Sequence, residues 1–234
     1  VSSKFPCRLP TLFVCLLLAF AGCATAPDRP LPEQPGELTA ENVSNYVAAS
    51  ERVHVLNTVP VTPTETTLSC DGSVATQTTD GYVAFADCTG GISLPSGEHA
   101  DEHSHAAYFV SNRTTTRISS RATEGVAATD ADAENASGLQ LFNFDDEAHV
   151  LTVIVREADT SERVVHLQNE LNATSGAVVY GVPTDSTTTY SVTVARDDGV
   201  TTTFEWRPAV EDELHAYGRL VAVTPSNELV TGRL

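Results

Sequence analysis

From residue 138 onward the chain keeps one hydrophobic rhythm. In "HVLTVIVRE" Leu151, Val153 and Val155 fall on one face of an extended segment, and Thr152, Ile154 and Arg156 fall on the other. Period-two alternation cannot be buried by a helix, so this part of the chain is restricted to β-structure. "ERVVHLQN", "SGAVVYGVP", "TTYSVTVARDDGVTTTFEWR" and "YGRLVAVTPSNELVTGR" continue the pattern, with a hairpin expected at Asp197-Asp198-Gly199. About seven short strands separated by turns predict an antiparallel, immunoglobulin-like β-sandwich over residues 138–234, with Tyr190 placed like a tyrosine corner.

The first half reads differently. "LTAENVSNYVAASERVHVL" puts Val43, Tyr46, Val47, Ser50, Val53 and His54 at helical spacing behind Thr39, an N-cap residue type. "ETTLSCDGSVATQTT", "GYVAFADCTGGI" and "HAAYFVSNRTTTRISS" predict strands, with turns at Asp71-Gly72 and Asp80-Gly81. Residues 38–122 are thus expected to form a small α+β module, its helix laid on a sheet. Residues 123–137 hold Val126 as their one large apolar side chain and are expected to link the two halves. The fold class is mainly β: the module first, then the sandwich.

The N-terminus sorts the cysteines. Lys4 and Arg8 precede "TLFVCLLLAFAG", an apolar run of signal-peptide length, too short to span a bilayer, that stops at Cys23. Ala21-Gly22-Cys23 resembles a lipobox, in which a peptidase cuts before the cysteine and the thiol takes a lipid. Phe20 stands where that motif usually has Leu, Val or Ile. Residues 1–22 are then a signal peptide and 23–37 a lipid-anchored spacer with four prolines; at about 3.1 Å per residue it would hold the domains roughly 40 Å off the membrane. Of five cysteines, Cys7 and Cys15 leave with the leader and Cys23 becomes the anchor. Cys70 and Cys88 remain, and an exported pair with no CxxC spacing reads as a structural disulfide.

Charge excludes some partners and suggests an environment. Thirty-one acidic residues face 13 basic ones, a formal charge of -18, and without Lys4 and Arg8 the balance is near -20. Such a surface does not itself attract nucleic acid or an anionic membrane surface. It does suit brine, where the Debye length falls to about 3 Å at 1 M salt and self-repulsion is screened. "NFDDEAHVLTVIV", "TYSVTVARDDG", "TFEWRP" and the helix "ENVSNYV" resemble secreted haloarchaeal lipoproteins with an immunoglobulin-like, cupredoxin-like sandwich. The resemblance implies a fold and an address on the outer face of the membrane. It brings no catalytic residues with it.

Candidate chemistry is sparse. "GEHADEHSH" carries His99, His103 and His105 beside Glu98, Asp101 and Glu102; imidazoles are good Zn or Cu ligands, and His103 and His105 share one face if a strand begins here. A blue-copper site needs a Cys ligand, and the second half has neither Cys nor Met. No G-x-S-x-G elbow, EF-hand loop or phosphate loop is present, and Asp145-Asp146 and Asp197-Asp198 read as turn acids. His149, His166 and His215 read as strand-face or loop residues. Sequons at Asn42, Asn112, Asn135 and Asn172 suit an exported protein; Asn112, Asn135 and Asn172 are the candidates, with linker and turn positions favouring Asn135 and Asn172, while Asn42 falls within the expected helix. The expectation is a lipid-anchored surface protein with a binding or envelope-structural role, no cofactor, and the membrane and a surface or envelope protein as partners. The alternatives are an extracellular metal-binding protein or enzyme built on His99, His103 and His105, or an accessory subunit of a membrane transporter.

Overall fold

The computed structural model describes residues 28–59, 62–119, 123–127, 136–183, 188–207 and 217–233. Cys23, Asn135 and His215, together with the proposed cleavage site, lie outside them. The described chain stacks four layers: one helix and three sheets. Helix α1 spans Ala40–Thr58; Thr39 caps it, its side chain accepting a hydrogen bond from the Asn42 amide. No described helix is long and apolar enough to cross a membrane.

The first sheet holds β1 (Glu65–Thr66), β2 (Ser69–Gln77), β3 (Gly81–Ser93), β4 (His99–Ser111) and β5 (Thr115–Ser119), all antiparallel, with β1 and β2 both paired to β3. The second is β14-β13-β7-β10-β6, built from β6 (Thr123–Ala127), β7 (Ala136–Asn143), β10 (Ser175–Pro183), β13 (Tyr217–Val223) and β14 (Leu229–Arg233). The third is β12-β11-β8-β9, from β8 (His149–Glu157), β9 (Arg163–Leu171), β11 (Tyr190–Arg196) and β12 (Thr201–Trp206). The mainly β class, the sandwich and the helix-on-sheet module all appear as expected. The sandwich is not wholly antiparallel as expected, because alternation shows that a segment is a strand but not the direction of its neighbour: β7 with β13 and β6 with β10 pair parallel, and the other pairs are antiparallel.

Alternation decides what each layer touches. Tyr82, Ala84 and Ala86 of β3, with Ala106, Tyr108 and Val110 of β4, face Val43, Tyr46 and Val47 of α1. The opposite face of the same strands, Val83, Phe85, Ala107 and Phe109, packs on Phe142, Phe144, Leu220 and Ala222. Leu139, Leu141, Val221 and Val223 then face the third sheet, against Leu151, Val153, Val155, Val192 and Val194. The segment read as a linker therefore does not separate two independent units. Its ends belong to β6 and β7, and the module and sandwich share a core.

Asp71-Gly72, read as a turn, lies inside β2. A side chain at 72 would place its Cβ 2.0 Å from the Ser44 carbonyl oxygen of α1, so the glycine admits the helix rather than bending the strand. Cys70 and Cys88 stand opposite each other in the β2–β3 register and are bonded, beneath Val55, Leu56 and Val59.

One charge locks the helix onto the sheet. Glu51, fully buried in α1, accepts hydrogen bonds from Arg117 Nε (2.7 Å) and Nη2 (2.6 Å), from the Tyr108 hydroxyl (2.6 Å) and from the Ser104 hydroxyl. Burial alone would raise its pKa; the bonds from Arg117, Ser104 and Tyr108 outweigh that and hold the carboxyl below its ordinary value. Burial and the bond given to Glu51 push the Tyr108 phenol up. Desolvation, reinforced by the charge on Arg117, lowers the pKa of His54, one turn along the helix. The expected inward position Val53 is only half-buried; Glu51 takes the place on the inner face.

Two expectations follow from this packing. A depressed carboxyl contributes stability that is present above its unfolded pKa of about 4.3 and is lost as pH falls through the lower folded value. Glu51→Gln strands the Arg117 charge and is expected to cost about 3 kcal/mol at neutral pH, a penalty that shrinks when denaturation is repeated in acid. Phe142→Ala is expected to cost about 3 kcal/mol or more, and chemical denaturation is expected to remain a single transition because both halves lose the same core; two separated transitions would contradict the shared layer.

Candidate functional site

Strands β3 and β4 pair without a break from Gly81 opposite Ser111 to Ser93 opposite His99. The second sheet covers this ribbon only as far as Phe85 and Ala107. Beyond them, the face turned away from α1 carries Asp87, Thr89, Gly91 and Ser93 on β3 and His105, His103, Asp101 and His99 on β4. The parity expected from the sequence holds, since all three histidines share a face. At about 3.3 Å per residue, however, His99 and His103 lie roughly 13 Å apart along the strand.

Each histidine meets its own cross-strand neighbour. His99 Nδ1 is 3.0 Å from Ser93 Oγ, and His103 is exposed opposite Thr89. His105 Nδ1 is 2.6 Å from Asp87 Oδ1, and its ring stacks on Phe85 with centroids 5.4 Å apart. Among the described residues no three His, Cys, Asp or Glu side chains converge to hold a metal ion. The structure leaves the three imidazoles spread along a strand.

A tighter polar cluster, missed in the sequence, closes one end of the sandwich. The Asn143 side-chain amide donates to the carbonyls of Glu147 (2.7 Å), Asn172 (3.0 Å) and Leu171 (3.3 Å), and its oxygen accepts from the Asp145 amide. This folds the turn after β7 so that Asp145 Oδ2 lies 2.9 Å from His149 Nε2, while His149 Nδ1 faces Asp197 Oδ1 at 3.6 Å. Burial would raise the Asp145 carboxyl; the contact with His149 and the Asp146 amide instead bring it below its usual value. On the next turn Arg196 grips both carboxylate oxygens of Asp198 and reaches Asn227 in the β13–β14 turn. The Arg196 hydrogen bond brings Asp198 down to about 2.

Chemically the cluster is a clamp. An imidazole with a carboxylate facing each nitrogen is held in one orientation, and it ties the turn after β7 to the β11–β12 hairpin. Its signal in the sequence was the i, i+4 spacing of Asp145 and His149 across a turn. The third partner, Asp197, comes from a hairpin some fifty residues away and leaves no such trace.

At the same end a cleft of about 470 Å³ opens between the β4–β5 turn and the β13–β14 turn, lined by Thr79, Asp80, Asn112, Arg113, Pro225 and Ser226. Glu228 accepts from the Thr79 amide and hydroxyl and ties its lip. The volume is in the range of small-ligand sites, and the rim is polar. Asn112 is exposed on this rim, and Asn172 is exposed in the β9–β10 turn, so both of these sequons are accessible. Asn42 lies in the first turn of α1, its amide bonded to the Glu37 carbonyl, and His166 is exposed on β9. Comparison of the chain with protein-family models, with curated proteins and with solved structures finds no match.

The spread of the imidazoles sets an expected outcome. Calorimetric titration with Zn²⁺ or Cu²⁺ should give no saturable heat that a His99→Ala, His103→Ala, His105→Ala variant lacks. A saturable signal abolished in that variant would mean that the ribbon gathers its histidines around metal.

Proposed function

We propose that this chain is a non-catalytic, lipid-anchored protein of the outer cell surface, fastened through Cys23, with a binding or envelope-structural role. The observation that carries the reading is the Cys70–Cys88 bridge, seated in register across two strands and covered by the helix. Two opposed cysteines joined inside a sheet belong to a chain that matures in an oxidising compartment, and the leader ending just before Cys23 supplies the route there. The acidic balance supports a brine-exposed surface, and the clamped Asp145–His149–Asp197 cluster supports rigid turns for recognition over turnover. A surface or envelope protein is the partner such turns suit; nucleic acid is disfavoured by the charge.

Intact-mass and peptide mass spectrometry of the membrane-derived product is expected to find Cys23 as the first residue, its sulfur in thioether linkage to lipid, and no free thiol at Cys70 or Cys88. Cys23→Ser should move the protein from the membrane pellet to the soluble fraction. An uncut leader with an unmodified Cys23, or a reduced Cys70 and Cys88 pair, would overturn the proposal.

A further inference from the structure

The proline-rich stretch expected to be a stand-off spacer is, from Asp28 on, part of the folded unit. The Arg29 amide donates to Asn57 Oδ1 (3.0 Å), Asn57 Nδ2 donates back to the Arg29 carbonyl (3.0 Å), and Arg29 Nη1 donates to the Leu56 carbonyl (2.8 Å) near the end of α1. Farther on, Gln34 Nε2 donates to Thr115 Oγ1 (2.6 Å), the Tyr82 hydroxyl donates to the Leu38 carbonyl (3.3 Å), and Thr39 caps the helix. Residues 28–39 therefore run as a strap antiparallel to α1, starting at its C-terminal end.

That starting point limits how the protein can sit. Six residue steps separate Cys23 from Arg29, a reach of at most about 22 Å fully extended. The 13-residue ribbon of β3 and β4 is roughly 43 Å long. Val55, Leu56 and Val59 of α1 cluster with Ile92 and Leu94, so the tip of the β3–β4 hairpin lies at the same end as Arg29. Asn112, the cleft and the β13–β14 turn lie at the other end. Leu31, one of two large hydrophobic side chains exposed among the described residues, is on the strap next to the tethered end.

We propose that the end formed by Arg29, Leu31, the C-terminus of α1 and the hairpin tip at residues 94–98 is the surface apposed to the lipid headgroups. The cleft rimmed by Asn112 and the Asp145–His149–Asp197 turns then face outward. This rests on Cys23 being the anchor. The apposed end is not basic: Asp28, Glu65 and Glu98 outnumber Arg29 and Arg52, the latter bonded to the Leu68 carbonyl, so the short tether sets the orientation and charge attraction does not.

The test couples the chain beginning at Cys23 to phosphatidylcholine–phosphatidylglycerol vesicles in high salt through a maleimide lipid, with Cys70 and Cys88 bridged so that Cys23 is the free thiol. A donor dye is placed on an azide-bearing residue replacing Ser96 or Arg113, and energy transfer to acceptor-labelled headgroups is read. Transfer from position 96 is expected to exceed that from position 113 several-fold; equal transfer, or more from 113, overturns the proposal. A flexible Gly–Ser insertion of about 20 residues between Thr25 and Ala26, with a root-mean-square span near 25 Å, leaves every contact of the strap in place and should collapse the difference. A difference that survives the insertion shows that the tether does not set the orientation and also overturns it. Because the maleimide lipid stands in for the natural one, these outcomes do not depend on native lipidation, which the mass of the membrane-derived product reports separately.

Discussion

In β7 from Leu139 to Asn143 and in β13 from Leu220 to Val223 neither face meets solvent, and the rest of the structure follows from that. Leu139 and Leu141 of β7 with Val221 and Val223 of β13 fill the core of the sandwich, while Phe142 of β7 with Leu220 and Ala222 of β13 fill the core beneath the first sheet. A strand pair buried on both sides is the shared wall of two cores, and each large side chain it buries contributes about 1.5–3 kcal/mol to whichever core receives it. The order of layers is then forced. The first sheet has one face left for α1, the third sheet has one face left for solvent, and neither half has a complete core when the other is removed.

Alternation is readable in the sequence only where one face is wet. In β8 and β11 the rhythm of Leu151, Val153, Val155 and of Val192, Val194 identified strands and inward faces together, because Thr152, Arg156 and Thr193 mark the outside. In "LQLFNF" both parities carry large apolar groups, so the run announces a strand without saying that its second face has a partner. That partner, Val83 and Phe85 with Ala107 and Phe109, lies thirty to sixty residues upstream, beyond a segment whose composition reads as a linker. The helix shows a similar limit. Counting apolar residues favours Val53 for the inner face, yet Glu51 occupies it because the sheet beneath offers Arg117, Tyr108 and Ser104 as donors.

Side-chain chemistry was legible to the same depth. Strand parity put His103 and His105 on one face, and the structure agrees, but register chose their neighbours: Asp87 for His105 and Ser93 for His99. A strand spreads alternate side chains along a line, whereas a tight turn folds them back on one another. Asp145 and His149 meet for that reason, through the bonds Asn143 makes around the turn after β7. The spacing of ligand-type residues in the sequence therefore pointed to the ribbon, while the compact ionic cluster formed at residues that read as ordinary turn acids.

The strap suits its composition for a related reason. Prolines at 30, 32 and 35 have no amide hydrogen to satisfy and hold the backbone extended, so a segment lying beside a helix needs few partners to remain there. Its 12 residues from Asp28 to Thr39 cover about 34 Å in that conformation, a little more than the roughly 28 Å length of the 19-residue helix they run along. The match explains why its contacts concentrate near the two ends of the helix, at Leu56 and Asn57 and again at Thr115, Tyr82 and Thr39. The same extended stretch that would have been a spacer in free solution is spent on following the helix back, and what remains of the tether before Arg29 is shorter than the ribbon it would have to clear. On the reading in which Cys23 is lipidated, distance from the membrane is then set by the length of the four-layer stack itself, and the turns at its far end are the part of the molecule that meets the surroundings first.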